Sequence, residues 1–232
     1  MSSKTVKITN GKILNYKISA PNYKTIYGSK LITADETINK NMIAEESADG
    51  VYTIGDRIGN IATFFTYYTD GNGNKYAVFV LDAKYRSENA LAWGTGDVAS
   101  GLTPYPSNIG LTTETVCVDS ATANTDYIIN TNPSYRSFKF CNDILLPSLN
   151  ISAKLPNPFE LNTIRLNGNI LDTYDPTITD YSARALSNWR ISWTCYERDN
   201  ANAWNITSSG IGYYRKSSDP CYVIPVFEIP VE

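Results

Sequence analysis

The chain of 232 residues contains no histidine. That excludes the Ser-His-Asp and Cys-His arrangements of nucleophilic catalysis, and every histidine-ligated metal site. Charge is scarce as well, at 19% of residues against the ~25% usual for globular domains. No run approaches the ~18 apolar residues of a membrane span. The opening MSSKTVKITNGK lacks an apolar stretch and a small-residue cleavage site. It predicts a protein that stays in a cytosol, is freed by lysis, or has already been processed. The four cysteines, Cys117, Cys141, Cys195 and Cys221, are too scattered for a CxxC zinc pattern. Buried thiols are expected, with Cys195 and Cys221 the pair to test for a disulfide. There is no Walker A loop. Gly71-Asn72-Gly73 joins two expected strands and opens no helix, so it is not a dinucleotide fingerprint.

Catalysis would therefore rest on carboxylates alone. Glycosidases need only two, and Asp172 with Asp175 are close in sequence. Asp175 precedes Pro176, however, and reads as a turn residue. The triplets Asn150-Ile151-Ser152 and Asn205-Ile206-Thr207 fit glycosylation acceptors, but without a secretory leader they carry little weight. The expectation is a protein that is not an enzyme and holds no cofactor and no metal. A net charge of −3 argues against a nucleic-acid partner.

What replaces the missing charge is Asn, Thr, Ser and Tyr, including 17 tyrosines. This is a β-rich composition, and tyrosine also makes contact area at low entropic cost. The length suits one large domain, or one domain with a small appendage. Residues 4–19 read as a hairpin about an Asn10-Gly11 turn. Short strands are expected near residues 25–27 and 30–33. A boundary falls by residue 49, giving an N-terminal β segment at 1–49 and a main domain at 50–232. About 45 residues make a weak independent core, so the first segment should anchor to something.

In the main domain, residues 61–69 and 76–83 read as strands joined by the Gly-rich turn 70–74. Residues 84–92 read as a short helix or loop, 95–110 as an exposed loop, and 124–129 as a short helix. Asn157-Pro158-Phe159-Glu160 combines an N-cap, a first-turn proline and a capping-box glutamate. The helix it opens is expected to stop at Gly168. A second helix is expected over 181–189. Trp193 opens a strand, followed by a turn at 199–202, a strand at 203–206, a turn at 208–210, a strand at 211–215 and a final buried strand at 222–227. These are read as one core sheet.

Several of these segments occur in an order that resembles one family. Ala123-Asn124-Thr125 with Ile128-Ile129, then Cys141, match its first helix and cysteine. Leu155-Pro156-Asn157-Pro158-Phe159-Glu160-Leu161 matches its helix start. Ser192-Trp193-Thr194, Ala203-Trp204-Asn205 with Ser209-Gly210, and Tyr222-Val223-Ile224-Pro225-Val226 match three successive strands. Residues 50–232 thereby resemble the C-type-lectin-like domains at the end of fimbrillin-like and collagen-like adhesins and of phage surface proteins. The pattern departs at Ile224 and Phe227, where that family has arginines, and Leu145-Leu146-Pro147-Ser148-Leu149 duplicates its Leu-Pro element. Leu155-Pro156-Asn157 lacks the acid, and Trp204-Asn205-Ile206 the Asp, of calcium-dependent lectins. Calcium-dependent sugar binding does not carry over.

The resemblance implies an α+β, β-rich fold with a small N-terminal β-hairpin anchor. It implies a phage virion protein, a head fibre, decoration or tail fibre similar to those of Bacteroidales and crAss-like phages. Such a protein would sit on the virion surface, hold capsid or tail proteins through its N-terminal segment, and bind a host surface glycan or protein. A homo-oligomer, trimer or dimer, is expected, with no membrane partner. The alternatives are a purely structural capsid or tail cement protein and an adhesion module on a bacterial cell surface, with a carboxylate-based glycan-cleaving enzyme behind them. The expected ligand contacts are the loop residues Tyr196, Arg198, Asn200, Asn202, Tyr213, Tyr214 and Arg215. Tyr213 and Tyr214 are adjacent, so one of the two should face out. Trp193, Trp204 and Pro225 are expected in the core.

Overall fold

A computed structural model describes the backbone of residues 13–20 and 23–31, and residues 52–96, 100–102, 120–146 and 149–231 in full. The chain divides into two compact units, Met1–Val51 and Tyr52–Glu232.

In the first unit, strand β1 (Ile13–Ala20) pairs antiparallel with β2 (Tyr23–Leu31), Ile13 opposite Leu31 and Ile18 opposite Ile26. The hairpin expected about Asn10-Gly11 lies in part outside the described residues. The two short strands expected at 25–27 and 30–33 are one continuous strand. Gly28 and Ser29 do not interrupt it, because their partners Tyr16 and Asn15 hold them in the ladder.

Among the described residues, the second unit mixes antiparallel sheets with three α-helices. β3 (Arg57–Ile58), β4 (Ala62–Thr69), β5 (Lys75–Leu81) and β11 (Val226–Val231) form one sheet in the order β11-β5-β4-β3. The β4–β5 turn is held by Asp70, whose Oδ1 accepts from the N–H groups of Asn72 and Asn74, both at 2.9 Å. Gly73 supplies the left-handed residue, at φ 86°. Most of β4 and β5 is buried on both faces, which hides any alternation. Phe64 and Phe79 pack edge to face at 5.5 Å, while Tyr68 meets Phe159 on the other side at 6.0 Å.

Two helices, α1 (Ala121–Thr131) and α2 (Arg136–Asn142), precede the short pair β6 (Leu145–Leu146) and β7 (Ile151–Ser152). Next comes α3 (Pro158–Tyr174), with the expected capping box formed in both directions: Asn157 Oδ1 accepts from Glu160 N–H, and Glu160 Oε2 from Asn157 N–H. Leu161, Ile164, Gly168 and Leu171 make its buried face, spaced as one helical stripe.

The helix does not stop at Gly168. That glycine is there for close approach, since a Cβ on it would lie 2.7 Å from the Leu186 carbonyl oxygen. The second helix expected at 181–189 reduces to one 3-10 turn, Ser182–Arg184. The amides of Leu186 and Ser187 instead donate to the Asp172 carboxylate, each at 2.9 Å. The short helix or loop expected after residue 83 is a 3-10 turn over Ala83–Tyr85.

β8 (Ser192–Glu197), β9 (Asn202–Thr207) and β10 (Gly210–Arg215) form a separate three-stranded sheet, with β10 at one edge. The tryptophan strands and the closing strand are therefore not one sheet. The last strand starts at Val226, four residues later than expected, and pairs with β5, Phe227 opposite Phe79. Its long-range partner could not be read from local pattern. The 95–110 stretch, expected to be exposed, buries Ser100 and Leu102; residues 97–99 and 103–110 lie outside the described residues. Cys221 is a free buried thiol, so the Cys195–Cys221 bridge is not made.

Candidate functional site

The β8–β9 turn and the β9–β10 hairpin bring together most of the residues expected to contact a ligand. Asp199 builds the turn. Its Oδ1 accepts from the N–H groups of Ala201 and Asn202, at 3.0 and 2.9 Å, and from the Asn202 side-chain amide at 2.8 Å. Slight burial pushes the Asp199 carboxyl up, but these hydrogen bonds and the Arg198 charge prevail and hold it below its usual range.

Directly before this turn, the Arg198 guanidinium lies 3.4 Å from the centre of the Tyr213 ring and 5.7 Å from the Trp204 ring. Tyr213 meets Trp204 edge to face at 6.0 Å. The register explains this, because Tyr213 stands opposite Trp204 on the neighbouring strand, so both point to one face. A stacked guanidinium is orientationally fixed and keeps its outward N–H donors available.

Tyr213 is 47% exposed and Tyr214 37%. Both adjacent tyrosines face solvent, not one of the two, because β10 is an edge strand with open surface on either side. Ile211 on the same strand is exposed too. Arg215 is exposed at the end of the strand, and Asn200 at the tip of the turn. Asn202 is half-buried, its amide committed to Asp199.

Tyr196 is a correction. It is 1% exposed and belongs to the core, because every residue of β8 is buried. Trp193, Trp204 and Pro225 are buried, as expected.

A buried ion pair underlies this end of the sheet. Lys216 Nζ donates to Glu197 Oε2 at 2.6 Å and to the Asn200 carbonyl at 2.8 Å. The same Glu197 oxygen accepts from Ser100 N–H at 2.7 Å. Lys216 thus ties the turn that carries Arg198 to the interior.

The most perturbed carboxyl elsewhere is Glu160. Burial pushes it well above the usual carboxylate range, and the charge and side chain of Glu228 push the same way, against the Asn157 N–H. Glu228 in turn caps α1, its Oε1 accepting from Ala121 N–H at 3.0 Å and its Oε2 from Thr122 N–H at 2.5 Å. Glu160 Oε2 is taken by the Asn157 N–H, and Oε1 is buried with no hydrogen-bond partner among the described residues. The sequence pattern marks Glu160 as a cap and does not single out Glu228. The one available signal was an acid inside the apolar run VFEIPV.

Asp172 and Asp175 both hold the fold, Asp172 by accepting from the Leu186 and Ser187 N–H groups. Asp175 takes Ala83 N–H at 2.6 Å, Arg86 at 2.9 Å and Thr177 N–H at 2.9 Å, a buried anchor that also makes the turn after α3. Among the described residues, no three His, Cys, Asp or Glu side chains converge to hold a metal. No helix of the described residues is long and apolar enough to cross a membrane. No protein family, characterised protein or solved structure matches this chain.

Proposed function

We propose that this chain is a displayed binding protein of a virion surface, not an enzyme, and that residues 52–231 present the exposed Tyr213 ring and the Arg198 guanidinium stacked on it, backed by the buried Trp204, to a host surface glycan or protein. The observation that carries this reading is the guanidinium stacked on an exposed edge-strand tyrosine. Tyr, Trp and Arg are the residues that dominate binding energy when they cluster, and this cluster is pre-organised by strand register and a rigid Asx turn. Pre-organisation lowers the entropic cost of binding.

The order of helix, capped helix and tryptophan strands supports a C-type-lectin-like arrangement as the finer fold. The N-terminal hairpin is the piece that would grip the particle, and oligomerisation would multiply weak contacts. Two experiments test the proposal together. Antibody to the C-terminal unit should decorate intact particles in electron micrographs. The purified chain should compete with particles for adsorption to host cells, and Arg198→Ala with Tyr213→Ala should weaken that competition about tenfold or more. Unlabelled particles, or a double variant that competes as well as the unmodified chain, would sink the proposal.

A further inference from the structure

Among the described residues of the second unit, one long sheet edge is left open. β8 is covered on its outer side, where Trp193 N–H donates to the Tyr222 carbonyl at 3.0 Å and Cys195 N–H to that of Pro156 at 2.8 Å. β11 exchanges bonds with Lys154, through Val226 N–H at 3.0 Å and the Val226 carbonyl at 2.7 Å, and carries Pro230 beyond them. β3, β6 and β7 are two residues long each. β10 has none of these guards. It pairs with β9 over all six residues without a bulge, and residues 210–214 hold no proline and no charge. Proteins blunt sheet edges with such devices, because an open edge is a template for another strand.

The register shows which backbone groups the edge offers. Arg198 N–H donates to the Asn202 carbonyl and Asn202 N–H to that of Asp199, so Asn202 turns its backbone groups away from β10. Its partner across the ladder, Arg215, therefore turns its own to the open side. Both are already used there, the N–H by Asp219 Oδ2 at 3.1 Å and the carbonyl by Asp219 N–H at 3.2 Å. Alternation places the N–H and C=O of Ile211 and Tyr213 on the same side. Among the described residues none of these groups has a partner.

The side chains define the strand that fits. Ile211, Tyr213 and Arg215 share one face of β10, where Arg198 lies over the Tyr213 ring. Asp199 Oδ2 is 3.8 Å from Arg198 Nε, beyond hydrogen-bond distance. The opposite face carries Tyr214 beside Gly212 and no charge. A guest strand with acidic residues at alternate positions meets the arginines on one face and lays its apolar residues along Tyr214 on the other. A second copy fits less well, since pairing two β10 edges would gather Arg198 and Arg215 of both copies on one face.

We propose that β10 binds an extended polypeptide segment of another protein by strand addition, the guest alternating acidic with apolar side chains. This rests on the binding role given above to Tyr213 and narrows its ligand from glycan or protein to a polypeptide.

The probes are capped heptapeptides alternating glutamate with valine, isoleucine, tyrosine or phenylalanine, and hydrogen exchange of the full chain is followed by NMR. At saturation at least one peptide should slow exchange of the Ile211 and Tyr213 amides about tenfold or more. The amides of Gly212 and Tyr214, which face β9, should be unaffected. Ile211→Pro removes an N–H that β9 does not use and should weaken that peptide about tenfold. A test on the peptide does not depend on that variant folding. N-methylation of the alternate peptide amides that face β10 should abolish binding, and methylation of the other set should not. Unslowed amides with all the peptides overturn the proposal, as does binding that survives methylation of each set in turn. Slowing of the same amides when the chain alone is concentrated gives the edge to a second copy and also overturns it. In the adsorption competition, folded Ile211→Pro should compete less well than the unmodified chain. If it competes equally while Arg198→Ala with Tyr213→Ala does not, side chains alone read the host surface, so strand addition fails and the binding role stands. If neither variant weakens competition, both fall.

Discussion

Burial and the neighbouring Glu228 raise the affinity of Glu160 for its proton, and this has a measurable consequence. Its folded-state proton is held more tightly than the unfolded chain would hold it. Folding therefore takes up a proton once the pH passes the unfolded value of about 4.3. The stabilisation this group provides is complete below that value and is lost as pH rises toward its raised folded value. The slope for one proton is at most about 1.4 kcal/mol per pH unit. Glu160→Gln keeps an acceptor for Asn157 N–H but cannot ionise. Urea unfolding between pH 5 and pH 9 should show stability falling in the unmodified chain and a flatter profile in Glu160→Gln. Parallel profiles would place the proton elsewhere. Asn205 is a second residue-scale test. It is fully buried, with neither end of its carboxamide hydrogen-bonded among the described residues. Asn205→Leu should raise stability by about 1 kcal/mol in the same unfolding assay, because a buried unsatisfied polar group costs about that much or more.

At the scale of elements, what could be read in advance was what is encoded locally. The Asp70–Asn74 turn, the strands flanking it and the capping box at Asn157 each carry their signal within a few residues, and each formed as expected. The misreadings have long-range causes. Gly168 looks like a helix stop, but its purpose is the crossing of the Leu186 backbone, 18 positions away in sequence. Gly168→Ala should raise helix propensity by about 1 kcal/mol yet lower overall stability, because the overlap costs about 1–3 kcal/mol. A raised thermal midpoint would mean that the 185–187 segment yields easily. Tyr196 was misjudged because β8 is covered on both faces, so alternation gave no warning. Arg198, Tyr213 and Trp204 could each be named from sequence, but their stacking depends on a register the sequence does not print. The Lys216–Glu197 pair joins three segments in the same way. Lys216→Met strands a buried carboxylate and should cost about 3–5 kcal/mol. Adding Glu197→Gln should recover most of it in thermal unfolding, since the charge is then gone.

For the whole molecule, the buried core among the described residues runs from Ile58 to Ile229. Strands β5 and β11, at opposite ends of the main unit's sequence, close its larger sheet, and this long-range pairing makes it a single cooperative body. A chain beginning at Tyr52 should therefore unfold in one transition. The proposed role of the first 51 residues as an anchor is separable by the same truncation. Light scattering should show the full chain self-associating and the truncated chain monomeric. The truncated chain should still compete for host cells, though less well for want of multivalency, and it should no longer be found on particles. A truncated chain that still joins the particle would move the anchor into the main unit and leave the N-terminal hairpin without the role assigned to it.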